Sequence, residues 1–195
     1  MKGQRKQQIL EVLASELETK PGSRITTAAL AAAVGVSEAA LYRHFPSKAR
    51  MFEGLIEFAE DVIFGLFNQV MNEQREARTR CFHLTFALLR FAERNPGITR
   101  VLTGDILVGE HERLRARVLK FYARVETQLK QALREDNLSE REARDPPTVA
   151  ASAGLLLALV AGRLDQFVRS DFKANPTADW EAHWRLVCSG IFPVV

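Results

Sequence analysis

A chain of 195 residues, 47% hydrophobic and 26% charged, fits a soluble globular protein with a core spread over one or two domains. Its net charge is only +3, but residues 1–50 carry eight Lys/Arg against four Glu, so the N-terminal quarter is the electrostatic footprint for a polyanion. Cys81 and Cys188 sit in apolar helical patterns without CxxC spacing, which favours reduced buried thiols over a disulfide or a metal site.

Apolar residues recur every three or four positions throughout, so the expected fold is all-α with about nine helices and no strand. After Gly3 to Lys6, read as loose, a first helix runs from Arg5 to Glu18 with Ile9, Val12, Leu13 and Leu17 as its stripe. Lys20-Pro21-Gly22-Ser23 breaks it. Two short helices joined by a tight turn then occupy residues 25–48. Thr26 or Thr27 caps the first by accepting from an otherwise unpaired backbone N–H. Leu30 and Val34 share one face, Gly35 takes the turn with positive φ, and Ser37 caps the second helix. Glu38 adds a favourable charge in its first turn, and Pro46 ends it.

This is a helix-turn-helix. With Leu41 and Phe45 turned inward, Glu38, Ala39, Ala40, Tyr42, Arg43 and His44 surround the outer side. The alanines let the helix lie deep in a major groove. Thr26, Thr27, Ser37, Tyr42, His44 and Lys48 are expected mostly on phosphates, with Glu38, Ala40 and Arg43 nearest base edges. Residues 1–48 form the expected DNA-binding domain, and residues 49–195 a helical dimerisation and partner-binding domain.

Ser47 caps a long fourth helix with Phe52, Leu55, Ile56, Ala59, Ile63, Leu66, Phe67 and Val70 on one face. Phe58 and Phe64 fall off that stripe, as second-face core or partner surface. A fifth helix, Thr79 to Arg94, is apolar almost all round and so should be surrounded by others. Asn95-Pro96-Gly97 stops it, and one or two short helices fill Ile98 to Val108. The seventh helix carries the stripe Leu114, Val118, Phe121, Val125, Leu129 and Leu133. A linker, Asn137 to Asp145, precedes an eighth helix opened by Pro146-Pro147-Thr148, and a ninth contains Trp180 and Trp184. Leu155, Leu156, Leu159, Val160, Trp180 and Trp184 are more apolar surface than one side of a monomer needs, so they are the expected dimer interface.

The run Tyr42-Arg43-His44-Phe45-Pro46-Ser47-Lys48 resembles the recognition-helix signature of the TetR family. The phrases Val34 to Lys48, Glu93 to Gly97, Val101 to Gly104 and Phe167 to Lys173 resemble the nucleoid-occlusion members of that family. The resemblance implies a homodimer on a palindromic chromosomal site that, while DNA-bound, keeps the tubulin-like division protein FtsZ from building a septum over the nucleoid. Under that reading a groove between the fourth and fifth helices docks FtsZ. Phe58 is its apolar anchor, with Arg94 and Asn95 meeting a carboxylate and an extended peptide backbone. Two departures stand out: a shorter basic N-terminal arm, and a more apolar fourth helix between Val62 and Val70.

The alternative is a ligand-released repressor of the same family, with a pocket lined by Phe82, Phe86, Leu89, Phe121 and Tyr122; the same residues also read as plain core. An enzyme is not expected, because His44, His83, His111 and His183 are scattered and no phosphate-binding glycine loop or HExxH motif exists. No cofactor or metal is implied. The start has no signal-peptide pattern, and the longest uncharged run, Pro146 to Gly162, is shorter than the ~20 residues of a membrane span, so the expected location is cytoplasmic and nucleoid-associated.

Overall fold

The computed structural model describes residues 2–20, 25–107, 111–135 and 146–192. Within these the elements are all helical: α1 (Lys2–Thr19), α2 (Thr27–Val34), α3 (Glu38–His44), α4 (Lys48–Glu73), α5 (Ala77–Arg94), α6 (Pro96–Leu102), a 3-10 turn at Asp105–Leu107, α7 (Glu112–Arg134), α8 (Pro146–Arg169) and α9 (Trp180–Ile191). The break at Pro21-Gly22-Ser23 and the linker Asn137 to Asp145 lie outside the described residues. The chain forms two compact units, Met1–Glu60 with Asn95–Leu119, and Asp61–Arg94 with Lys120–Val195.

In the first unit α1 buries Ile9, Leu13 and Leu17 completely. Gly3 to Lys6, expected to be loose, is helical instead. Arg5 donates to Gln8, Gln7 donates to Glu11, and the Lys6 ammonium stands 5.6 Å from the Phe45 ring centre, so spaced pairs support the first turns. Helix α1 also meets α6 at van der Waals limits. A Cβ on Gly97 would sit 2.0 Å from the Ala14 carbonyl oxygen, so only glycine admits this approach. One turn on, Arg100 is 3% exposed and caps the carboxyl end of α1. Its Nη1 donates to Leu17 O at 2.9 Å and Lys20 O at 3.2 Å, and its Nε donates to Asp105 at 2.7 Å. The guanidinium thereby satisfies carbonyls that a helix end otherwise leaves unpaired.

The stripe of α4 holds for Phe52, Leu55, Ile56, Ala59, Ile63 and Phe67. Leu66, however, is 41% exposed and Val70 half-buried, while Phe64 is buried. The Phe64 ring lies 5.6 Å from Phe67 and 5.7 Å from Phe121, with the Arg124 guanidinium 3.7 Å above it. Burying Phe64 beside Ile63 and Phe67 rotates the inward arc and carries Leu66 to the outer side. Phe64 is core.

In the second unit α5 packs on α8 and α9. Arg80, its side chain 5% exposed, donates to Gln74 O, Met71 O, and both the carbonyl and carboxylate of Glu135. The stripe of α7 is buried at all six expected positions. Arg163 organises the turn between α8 and α9 by donating to the carbonyls of Asn175, Pro176 and Ala178. That turn holds three non-glycine residues at positive φ, Asp171, Phe172 and Asp179. Cys81 and Cys188 are both buried. Thr148–Arg169 is long and apolar enough to cross a membrane by length and composition. Its Leu156, Val160, Leu164 and Phe167 are packed inside the unit, while 33% of the apolar stretch as a whole is buried.

The apolar α8 and α9 positions divide. Leu156, Val160, Trp180 and Trp184 are buried in the chain's own core, so they are not surface a second copy could cover. Leu155 is 54% exposed and Leu159 half-buried. Leu186 on α9, 74% exposed, is an outward apolar residue the sequence reading missed. A helix with apolar residues on both faces gives no sequence signal for which face meets its own core.

Candidate nucleic-acid interface

Local capping builds the interface. Thr26 is extended (φ −95°, ψ 153°), and its Oγ1 accepts from Ala29 N at 3.2 Å. Gly35, at φ 76°, ends α2 while Val36 N–H reaches Ala31 O at 2.9 Å. Ser37 opens α3, its Oγ accepting from Ala40 N at 3.2 Å. Leu30, Val34, Leu41 and Phe45 turn inward, as their spacing requires. Ser47 repeats the cap for α4, accepting from Arg50 N.

What is left outside is the array expected from sequence. Glu38, Ala39, Tyr42 and Arg43 are exposed, and Ala40, His44 and Lys48 are intermediate. Arg43 has no ion-pair partner among the described residues. The Lys48 ammonium sits 5.5 Å from the Phe52 ring centre, which anchors its stem at the start of α4. The capping oxygens of Thr26 and Ser37 are occupied as acceptors by Ala29 N and Ala40 N, which leaves their hydroxyl protons able to donate. Thr27 differs: its hydroxyl donates to Glu38 Oε2 at 2.8 Å and accepts from Tyr42 Oη at 3.4 Å. Thr27, Glu38 and Tyr42 are thus joined across α2 and α3, a link between loci 11 and 15 residues apart that spacing does not show.

Of the residues expected to meet FtsZ, Phe58 is 37% exposed on α4. Arg94 is exposed in the last turn of α5, and half-buried Asn95 opens α6, its carbonyl accepting from Thr99 N and Thr99 Oγ1. Beside Arg94, Glu93 accepts from Asn175 Nδ2 at 2.8 Å and from Arg90. Partial burial pushes the Glu93 carboxyl up, but those hydrogen bonds, with Arg90's charge and Thr177, hold it below the usual carboxylate range.

The five residues of the expected ligand pocket lie on α5 and α7. Phe121 is buried against Phe64 and Tyr122. Burial raises the Tyr122 phenol well above its ordinary value, with Asp165 adding to the shift. Phe82 and Phe86 stack at 5.8 Å, half-buried, and Phe82 borders a surface concavity with Glu76, Arg78, Thr79 and Trp184. Leu89 is plain core. Among the described residues no cluster of His, Cys, Asp or Glu has metal-binding geometry.

A capped helix-turn-helix opening a chain that is all helical among its described residues fits a TetR-type fold. The pattern of bacterial regulatory proteins of the tetR family matches residues 9–55, and the SlmA-like form of the tetracyclin repressor-like C-terminal domain matches residues 75–191. The nucleoid occlusion factor SlmA of Shewanella woodyi is 56% identical over 180 residues, 92% of this chain and 91% of that protein. SlmA of Idiomarina loihiensis is 54% identical over 95% and 94%. The chain belongs to the SlmA family of TetR-type proteins. Among solved structures, FadR from Bacillus subtilis with stearoyl-CoA superposes at TM-score 0.77 with 15% identity over 94% of this chain and 98% of that one. PfmR from Thermus thermophilus gives 0.70 with 20% identity over 96% and 95%. At such identities the likeness is one of fold.

Proposed function

We propose that this protein is a nucleoid occlusion factor: a non-enzymatic, sequence-specific DNA-binding homodimer that inhibits FtsZ ring assembly over the chromosome while bound to DNA. The observation that carries the reading is 56% identity to a protein so named across more than nine-tenths of both chains. The exposed α3 face supports its DNA half. The protein works in the cytoplasm at the nucleoid. Residues 1–48 read DNA, and residues 49–195 dimerise and hold the partner. Sedimentation of FtsZ polymers tests the reading directly. Pelleted FtsZ should fall when protein and a duplex carrying its site are added together, and much less with either alone. Equal pelleting in all mixtures refutes it.

On DNA, Thr26, Ser37, Tyr42, His44 and Lys48 hold phosphates, while Arg43, Ala40 and Glu38 face base edges. Arg43→Ala should cost roughly 1–3 kcal/mol on the specific site and relax one base position, as a bidentate contact would. Titration of labelled duplexes reads this out, and an equal loss on random DNA reassigns Arg43 to the backbone.

Dimerisation uses the outer faces of α8 and α9, with Leu155, Leu159 and Leu186. Leu155→Asp should halve the mass seen by light scattering while leaving the helical content intact, because an unpaired charge is costly to bury. Leu156→Asp should instead lower thermal stability, since Leu156 is fully buried in its own chain.

Phe58, Arg94 and Asn95 contact FtsZ. Phe58→Ala and Arg94→Ala should remain folded and DNA-binding but lose anisotropy with a labelled FtsZ tail peptide. Parent-like binding by both places the contact elsewhere, and a sharp fall in melting temperature for Phe58→Ala makes that ring core.

A further inference from the structure

We propose that Thr27 is a positioning residue for base readout rather than a phosphate contact, and that it holds Glu38 to accept from a cytosine amino group. This rests on the DNA-binding reading above and deepens it. An ionised carboxylate only accepts, so the 2.8 Å contact between Thr27 Oγ1 and Glu38 Oε2 consumes the single hydroxyl proton of Thr27. Thr27 is therefore the acceptor in its 3.4 Å contact with Tyr42 Oη, and the phenol donates. Thr27 has no second proton for a phosphate while this bond lasts. Tyr42, in the longer contact, can leave for a phosphate without disturbing the shorter one.

An exposed carboxylate on a surface that meets a polyanion is electrostatically unfavourable everywhere except opposite a donor. The major groove offers such donors at two places, the N4 amino group of cytosine and the N6 amino group of adenine. Beside the adenine amino group lies the N7 acceptor, whose lone pair repels a second carboxylate oxygen. On cytosine's own edge N4 is flanked by C5–H rather than by an acceptor, and the guanine O6 across the pair corresponds to the thymine O4 across from adenine, so the two amino groups differ only on that side. Oε1 of Glu38 has no partner among the described residues, so with Oε2 tethered, one oxygen is left for one base. Tethering removes the rotamer freedom of a long exposed side chain before the base arrives, and preorganisation of that kind favours readout over non-specific contact.

The test uses duplexes selected by the parent protein from a random-sequence pool, with poly(dA-dT) as the non-specific probe. Thr27→Val, which keeps the side-chain shape and loses the hydroxyl, should weaken the selected duplex about tenfold and leave poly(dA-dT) within twofold. Reselection with Thr27→Val should flatten the cytosine preference at one position per half-site. Thr27→Ser should restore both affinity and preference. Glu38→Gln, which adds a donor beside the acceptor, should move that position toward adenine. Thr27→Val weakening both probes equally, with base preferences unchanged, overturns the proposal and returns Thr27 to the backbone. A parent that selects no sequence from the pool is a different result: it fails the DNA-binding reading itself.

Discussion

Gly97→Ala is expected to destabilise the protein by more than about 3 kcal/mol, the upper range for overpacking, because no rotamer change can relieve the contact. The added Cβ would lie 2.0 Å from a main-chain oxygen, that of Ala14, and 3.1 Å from the Leu17 Cβ. Relief requires α1 and α6 to separate, which also pulls Arg100 from the Leu17 and Lys20 carbonyls. For a chain of this size each kcal/mol shifts the midpoint by about 2–4 °C, so thermal unfolding should fall by roughly 6–12 °C. Gly65→Ala is the matched control. Gly65 lies within α4 with nothing within 4 Å of an added Cβ, and the change should be neutral or stabilise by up to ~1 kcal/mol. A Gly97→Ala protein melting with the parent would show that the two helices tolerate a wider gap than their contact indicates.

Arg80→Met is expected to cost about 3 kcal/mol in the second unit, from carbonyls left without donors in a buried site. The guanidinium reaches Met71 O at 3.1 Å, Gln74 O at 2.9 Å and Glu135 O at 3.3 Å, so it holds the end of α4 and the tail of α7 to the start of α5. Methionine fills the volume of the stem but pairs with none of these. Glu135→Ala, by contrast, should cost under ~1 kcal/mol, since its carboxylate is 49% exposed. Urea titrations separate the two contributions. Equal losses would assign the stability to the ion pair rather than to the main-chain contacts.

These two sites mark where sequence reading ends. The helix-turn-helix was legible because its determinants are local: Thr26, Gly35 and Ser37 each act within four residues of their own position. The stripe of α7 was legible because one strong period has a single solution. Arg80 and Arg100 were not, because a lone arginine in a helix reads as surface and only the fold supplies the carbonyls that bury it. Phe64 and Leu66 compete for one arc of α4, and the choice depends on Phe121, 57 positions from Phe64. The helix α8 fails differently: with apolar residues on both faces, periodicity identifies a helix but not which face its own chain covers. In the site, the Thr27–Glu38 bond joins two separately capped helices, and no pattern within either one announces it.

Arg100 also carries a consequence for synthesis. Its guanidinium closes on carbonyls 83 and 80 residues earlier in the chain. At about 5–20 residues per second, the ribosome delivers Arg100 roughly 4–17 s after Leu17. Throughout that interval α1, α2 and α3 exist without α6, and the groove beside Ala14 stands open. The part of the molecule that reads DNA is made first, yet α5 must be translated in between before that first part can finish folding.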